Sequence, residues 1–332
     1  MQMRKDMRAV VQTQYGAPEV LQLTTVEKPT PKDNEVRIKI HATSVTAAEC
    51  LMRKGEPLWG RVILGFTKPR RQILGLELAG EIEAVGKAVR RFRAGDAVFG
   101  FTGFRLGAYA EYACLAETGS LAIKPMNTSY EEAAATVDGA STAFYFLKQK
   151  ANIQRRQKVL IIGASGSIGV YAVQLAKYFG AAVTGICSTG NIELVRTLGA
   201  DKVIDYTQED FTQNGQRYDW IMAANGYHPI SDYRRALSPN GTYVMTGGSG
   251  AQMSEAMLQG PWISMTGSKK MSNLLAKPNK NDLAYVKDLL EARKIKPVID
   301  SCYPLSEVPE AFRYIEAGHA KGKVVINVVN KN

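Results

Sequence analysis

The sequence predicts an α/β protein in which a doubly wound parallel sheet is inserted into a β-rich domain. Three observations predict it. Lys158–Ile162 is a short apolar run followed at once by Gly163-Ala-Ser-Gly166-Ser-Ile-Gly169 and by a helical stretch, Val170–Lys177. Strands and helices then alternate at ordinary crossover lengths. The flanking residues, 1–128 and 271–332, carry short β-branched runs of a different rhythm, and residues 129–270 are expected to form the inserted domain.

In chain order, Met7–Gln12, Glu35–Ile40, Ala79–Val85 and Ala97–Phe99 alternate β-branched with polar residues, as half-buried strands do. Lys28–Pro31, Lys32–Asn34 and Ala94–Asp96 supply turns between them. A helical stretch, Tyr130–Lys150, leads into the strand Lys158–Ile162. The next strand is Ala182–Ile186, then a helix Asn191–Leu198 stopped by Gly199, then a strand Lys202–Ile204. Strands Tyr218–Met222 and Gly241–Met245 flank a helix Ile230–Leu237. Asp282–Lys294 is an amphipathic helix, Ser306 is placed to cap a helix ending near Glu316, and Gly322–Val328 is a closing strand.

Composition narrows the function classes. Hydrophobic residues at 45% and charged residues at 22% are enough to bury full cores. Met1–Arg8 lacks an apolar centre and does not read as a secretory signal. Cys50, Cys114, Cys187 and Cys302 lie far apart without a CxxC pair, which suits a reducing cytoplasm better than a disulfide framework. The uncharged run between Lys158 and Lys177 contains too many glycines and serines for a membrane span. Net charge is +11, with a basic stretch Arg53–Arg71 that also carries Leu58-Trp59 and Val62–Leu64. A solvated loop is the plain reading of that stretch; peripheral contact with an anionic membrane is the alternative, and no nucleic-acid motif accompanies it. Trp59, Val62, Ile63 and Phe66 are read either as an apolar lid over a hydrophobic acceptor or as core.

The strand, glycine turn and helix at 158–177 form the phosphate-binding corner of a dinucleotide fold. Against G-x-G-x-x-G, Ala164 takes the first position, Gly166 the second and Gly169 the third. Gly166 would admit the pyrophosphate close to backbone, Gly169 would seat the helix on the strand, and Ser165, Ser167 and Ile168 complete the loop.

The whole chain resembles the medium-chain dehydrogenase/reductase superfamily, in its zinc-independent quinone oxidoreductase and enone reductase branch. The resemblance rests on Met7–Val11, Gly75-Leu-Glu-Leu-Ala-Gly80 with Gly86, Phe92–Val98 and Gly107–Tyr112. It continues through the glycine corner, Leu198-Gly-Ala-Asp201, Val203-Ile-Asp-Tyr206 and Gly322–Ile326. It implies a GroES-like β-barrel catalytic domain, a Rossmann domain, a cleft between them and a homodimer. In the zinc-dependent branch a metal-ligating histidine stands where this chain has Leu76, and the structural lobe of four cysteines is missing, so no metal is expected. His41, His228 and His319 read as ordinary histidines.

After Ile186 the chain offers Cys187-Ser188-Thr189-Gly190-Asn191 without a carboxylate, which favours NADPH over NADH. The resembling reductases often carry a lysine at the position of Asn191 and a tyrosine at that of Tyr206; Arg196 is a substitute cation. In the segment Ala42–Arg53, taken as a cleft loop, Thr46 is expected to donate to the ribose or substrate oxygen. Arg53 matches the family directly and is expected to pair with Glu49. Thr142 at a helix start, Asn225-Gly226, Thr246–Ser249 with Gly247, and Lys323 complete the expected cofactor contacts. Hydride transfer from NADPH to a small hydrophobic quinone or an α,β-unsaturated carbonyl is the expected reaction. An enoyl-thioester reductase, and an NADPH-retaining protein that binds RNA or an anionic membrane, are the rival readings.

Overall fold

The computed structural model describes residues 5–225, 228–248, 255, 258–260, 263–265, 268–273 and 280–329. The chain divides into two compact units. The first comprises Met1–Asp138, Asn279–Arg293 and Pro297–Asn332; the second comprises Gly139–Pro278 and Lys294–Lys296.

Among the described residues the second unit holds six parallel strands, Lys158–Ile162, Ala182–Cys187, Lys202–Asp205, Tyr218–Ala223, Leu237–Met245 and Lys270–Asn273. In the sheet they lie in the order third, second, first, fourth, fifth, sixth, which is the doubly wound Rossmann order. The first strand therefore has the second on one side and the fourth on the other, so the sheet switches direction at its carboxyl end. Val159 to Ile162 are buried on both faces, as a central parallel strand requires. Lys270–Asn273 is an additional edge strand that the sequence pattern did not reveal.

The first unit is built on a largely antiparallel seven-stranded sheet in the order Ile299–Pro304, Lys323–Asn327, Glu35–Val45, Glu77–Val85, Ala97–Phe101, Leu121–Ile123. Tyr112–Ala116 pairs with the amino-terminal half of Glu35–Val45. The last strand of the chain thus pairs with a strand from its first fifty residues, through Val324–Val45 and Asn327–Ala42. Val36, Ile38, Ile40, Leu78, Ile82 and Phe312 form part of its core.

Several elements differ from expectation. Ala42–Arg53 is not a loop: the strand runs on to Val45, and Ala47–Lys54 is a helix. Thr46 caps it in a capping box, accepting from the Glu49 N–H while the Glu49 carboxylate accepts from the Thr46 N–H at 2.8 Å. Gly55 closes it in the left-handed conformation, at φ 69°. Ser306 makes no side-chain cap: a 3-10 turn, Leu305–Glu307, precedes the helix Val308–Glu316.

Candidate functional site

The glycine-rich turn sits at the carboxyl end of Lys158–Ile162, at the point where strand order reverses. Gly163 adopts φ 75°, and a Cβ there would meet Asn225 backbone nitrogen at 2.9 Å. Gly163 thus makes the tight turn that the fingerprint assigns to its first position, and Ala164 does not. Ala164 is buried, its N–H donating to Ile186 O at 2.9 Å. At Gly169 a Cβ would lie 2.0 Å from Gly163 O, so helix Gly169–Tyr178 seats on the strand only through glycine. Gly166 is different: a Cβ would meet Gly163 O at an ordinary 3.4 Å. The fold does not need glycine at 166; a ligand approaching the backbone would. Ser167 and Ile168 follow it into the start of the helix, which no side chain caps; the Val170 N–H donates back to Gly166 O at 3.0 Å and the Ala172 N–H to Ile168 O at 2.9 Å.

Beside this turn, Asn191 donates through Nδ2 to Ser165 Oγ at 3.0 Å and Ser188 Oγ at 3.2 Å. Its Oδ1 is buried without a partner among the described residues. Tyr206 is exposed, and its N–H donates to Cys187 O at 3.1 Å, which brings the ends of the second and third strands together. Thr189 Oγ1 donates to Asp205 Oδ2 at 2.6 Å. The Thr189 and Thr207 hydroxyls hold Asp205 below the usual carboxylate range, so it is ionised. Asn225 follows the fourth strand, its N–H reaching Ile162 O at 3.3 Å. Gly247 follows the fifth, and a Cβ there would lie 2.5 Å from Ala224 O. The expected contacts Gly226 and Ser249 lie outside the described residues.

The first unit contains a buried polar network around Glu77 and Glu49. Glu77 Oε1 accepts from the Lys323 ammonium and the Ser44 hydroxyl, and Oε2 accepts from the Asp138 N–H at 2.6 Å. Neither Glu77 nor Lys323 is exposed to solvent. Burial disfavours the Lys323 ammonium, but the Glu77 and Asp138 carboxylates outweigh it and hold its pKa above the ordinary value. Glu49 Oε1 accepts from the Leu76 N–H at 3.0 Å. Burial raises the Glu49 pKa to about 7, against hydrogen bonds from Thr46.

Comparison with known proteins decides the family. Residues 32–125 match the alcohol dehydrogenase GroES-like domain and residues 198–326 the zinc-binding dehydrogenase domain. A chloroplastic quinone-oxidoreductase homolog of Spinacia oleracea is 36% identical, the alignment covering 97% of this chain and 98% of the relative. The chain belongs to the medium-chain dehydrogenase/reductase superfamily. A 2-methylene-furan-3-one reductase of Solanum lycopersicum is 32% identical over 98% of this chain and 80% of its own. A mitochondrial NAD(P)H oxidoreductase of Bos taurus is 31% identical over 97% and 89%. The quinone oxidoreductase structure from Coxiella burnetii superposes with a TM-score of 0.87 at 29% identity, covering 98% of this chain and all of that one. The protein is thus an oxidoreductase of the quinone and enone reductase branch, and its relatives support a nicotinamide cofactor.

Within this superfamily fold, four expected roles change. Arg53 is fully buried and does not pair with Glu49: its guanidinium donates to Gly16 O and, at 2.7 Å, to Glu316. A side chain so committed ties the Ala47–Lys54 helix to Val308–Glu316 and cannot touch a substrate in this arrangement. The Lys323 ammonium is likewise taken up by Glu77, so this residue is a buried structural cation and not an open cofactor contact. Arg196 lies in the last turn of the helix Ile192–Thr197, which runs back toward the amino ends of the strands. There it borders a groove with Lys158, Ala182 and Lys202 and pairs with Glu193, so it does not replace a lysine at Asn191. Thr142 is buried near the end of the helix Tyr130–Phe144, not at its start.

Sequence reasoning missed two residues here. Gly139, one turn before Thr142, lies so close to the glycine corner that a Cβ would meet Ser167 O at 2.4 Å. A lone glycine inside an alanine-rich helix was its signal. Asp205 places an ionised carboxylate beside Thr189 from the neighbouring strand, where counting along one strand does not reach, and its oxygens accept from the Thr189 hydroxyl and from the Thr207 N–H and hydroxyl. Leu76, at the zinc-ligand position of the metal-dependent branch, packs in the core.

Proposed function

We propose that the protein is an NADPH-dependent reductase that works without zinc and delivers hydride to a quinone or to the C=C bond of an α,β-unsaturated carbonyl. The observation that carries this reading is the Gly163–Gly169 turn at the switch point of the parallel sheet, open at Gly166 where the fold itself would tolerate a side chain. Such a turn receives a pyrophosphate against backbone N–H groups and the positive end of a helix. The unpartnered Asn191 Oδ1 and the Ser165 and Ser188 hydroxyls supply acceptors and donors on one side of it. We assign the adenosine half to Ser188, Thr189, Asn191, Tyr206 and Asn225, and the nicotinamide half to Thr142 and Gly247.

A reduced nicotinamide, when bound, supplies the hydride. The chain supplies the rest: it holds the acceptor carbon against the donor, excludes water and offers hydrogen bonds to the oxygen on which charge develops. Leu76 has no metal-binding atom, so hydrogen-bond donors carry the polarisation a zinc ion supplies elsewhere in the superfamily. Titration calorimetry with NADPH and NADH, followed by NADPH oxidation in the presence of a benzoquinone and an enone, tests this reading. Binding with turnover of either acceptor, undiminished by chelators, is expected; absence of binding, or activity restored only by zinc, overturns it.

A further inference from the structure

Residues 58–66 invert the usual rule for a short amphipathic segment. Leu58, Trp59, Val62, Ile63 and Phe66 are spaced i, i+1, i+4, i+5 and i+8, the sequence pattern of a helical stripe; in the fold Leu58–Gly60 is a 3-10 turn, Arg61–Leu64 a single helical turn, and Gly65 at φ 122° ends it before Phe66. A stripe of this kind ordinarily faces a core. Here all five side chains are between 57% and 77% exposed. The polar residue of the segment faces inward instead: Arg61 Nε donates to Gly55 O at 3.0 Å, and its guanidinium lies over the Tyr15 ring at 4.6 Å. Tyr15 Oη in turn donates to Gly65 O at 2.6 Å, and the Arg70 N–H to Leu64 O at 2.7 Å. The segment is therefore pinned at its base with its apolar stripe turned to solvent. Isolated exposed apolar residues need no explanation, but five within the nine residues Leu58–Phe66 of a pinned segment do.

Charge indicates what covers it. Lys68, Arg70 and Arg71 are exposed immediately beyond the stripe, and the single acidic residue from Cys50 to Leu76 outside the buried sheet is Glu56. A second copy docked stripe to stripe about a two-fold axis would bring six cations together. A neutral partner would leave them unused. An apolar wedge bearing an indole, flanked by cations, is instead complementary to the headgroup region of an anionic bilayer. We infer that Leu58–Phe66 inserts shallowly into anionic lipid membranes while Lys68, Arg70 and Arg71 contact the headgroups. Neither NADPH binding nor turnover enters this inference, so it stands or falls apart from the proposed reaction.

The test is co-sedimentation of the full-length protein with vesicles of pure phosphatidylcholine and of phosphatidylcholine containing phosphatidylglycerol, at low and high salt. Wild type is expected to bind the anionic vesicles at least roughly tenfold more tightly, with loss at high salt. Lys68→Glu/Arg70→Glu/Arg71→Glu should lower the partition coefficient by about fivefold or more per charge. Trp59→Ser/Phe66→Ser should lower it at all salt concentrations, although its charge is unchanged. All substituted side chains are exposed, so an unchanged circular dichroism spectrum and melting temperature separate lost docking from lost folding. Absence of wild-type binding to anionic vesicles overturns the inference. So does binding that Trp59→Ser/Phe66→Ser leaves intact, or a drop from dimer to monomer in that variant, which would make the stripe an interface between copies.

Discussion

Glu49, Glu77 and Lys323 lie out of solvent in the first unit, and the burial of Glu49 has a measurable consequence. Its pKa in the folded protein is about 7, against 4.5 for the free side chain, because burial penalises the anion. An acid whose pKa is raised on folding stabilises the fold below its unfolded pKa, and that contribution disappears as pH rises through the folded value. Full titration corresponds to about 3 kcal/mol. Wild type should therefore lose stability between pH 5 and pH 8 relative to Glu49→Gln, which cannot titrate. Urea midpoints for both proteins across that range check this, and parallel pH profiles would remove Glu49 as the cause. Asp205 bears on cofactor choice in the same way. Its ionised carboxylate stands beside Thr189, where it would oppose a 2′-phosphate and so limit the preference for NADPH proposed above. Asp205→Asn is expected to raise the NADPH-to-NADH ratio of kcat/KM by about tenfold, the scale of one charge-assisted contact. Equal effects on both cofactors would place Asp205 outside the ribose site. Glu49, Glu77 and Lys323 did not declare their burial in the sequence, because burial depends on partners far away: Glu77 and Lys323 are 246 positions apart.

At the scale of elements, the glycine corner separates what the fold requires from what a ligand requires. Gly169→Ala would drive a methyl group into Gly163 O, so either the helix or the turn must shift. A cost on the order of 1–3 kcal/mol is expected, as for overpacking in a core. Gly166→Ala meets only an ordinary contact. It should fold with unchanged stability and lose most of its affinity for NADPH. Melting curves and calorimetric titrations on both variants give the comparison; a Gly166→Ala protein that binds NADPH normally would detach the turn from the cofactor. The corner itself was legible because strand, glycines and helix are contiguous, and Lys158–Ile162 emerged with the bounds its apolar run suggested. The helix Ala47–Lys54 was not, because its capping box, Thr46 with Glu49, sits within a segment assigned to a loop by resemblance. Short strands such as Leu121–Ile123 carry too few residues for alternation to show, and owe their existence to the neighbour they pair with.

Each of the two units has its own apolar core, and the glycine corner, Asn191, Asp205, Asn225 and Gly247 all lie in the second. The sequence foretold an inserted parallel-sheet domain from the rhythm of its strands and the return of a β-rich segment. It did not foretell that the last strand, Lys323–Asn327, pairs with Glu35–Val45 and brings a lysine under the Ser44 hydroxyl and the Glu77 carboxylate, since antiparallel pairing across the whole chain leaves no local trace. A ligand confined to one unit stabilises that unit directly and reaches the other only as far as their unfolding is coupled. At about a hundredfold excess over Kd the second unit should gain about 2.7 kcal/mol. Scanning calorimetry with and without NADPH reads the outcome through the number of transitions that move. Trp220, buried in the second unit, and Trp59, exposed in the first, offer a spectroscopic counterpart. If the transition followed by tryptophan fluorescence in Trp59→Phe, whose remaining tryptophans Trp220 and Trp262 both fall within Gly139–Pro278, rises with NADPH, the ligand engages the second unit as assigned. If NADPH shifts no transition, the assignment of the dinucleotide to the Gly163–Gly169 corner fails, whatever the protein's activity.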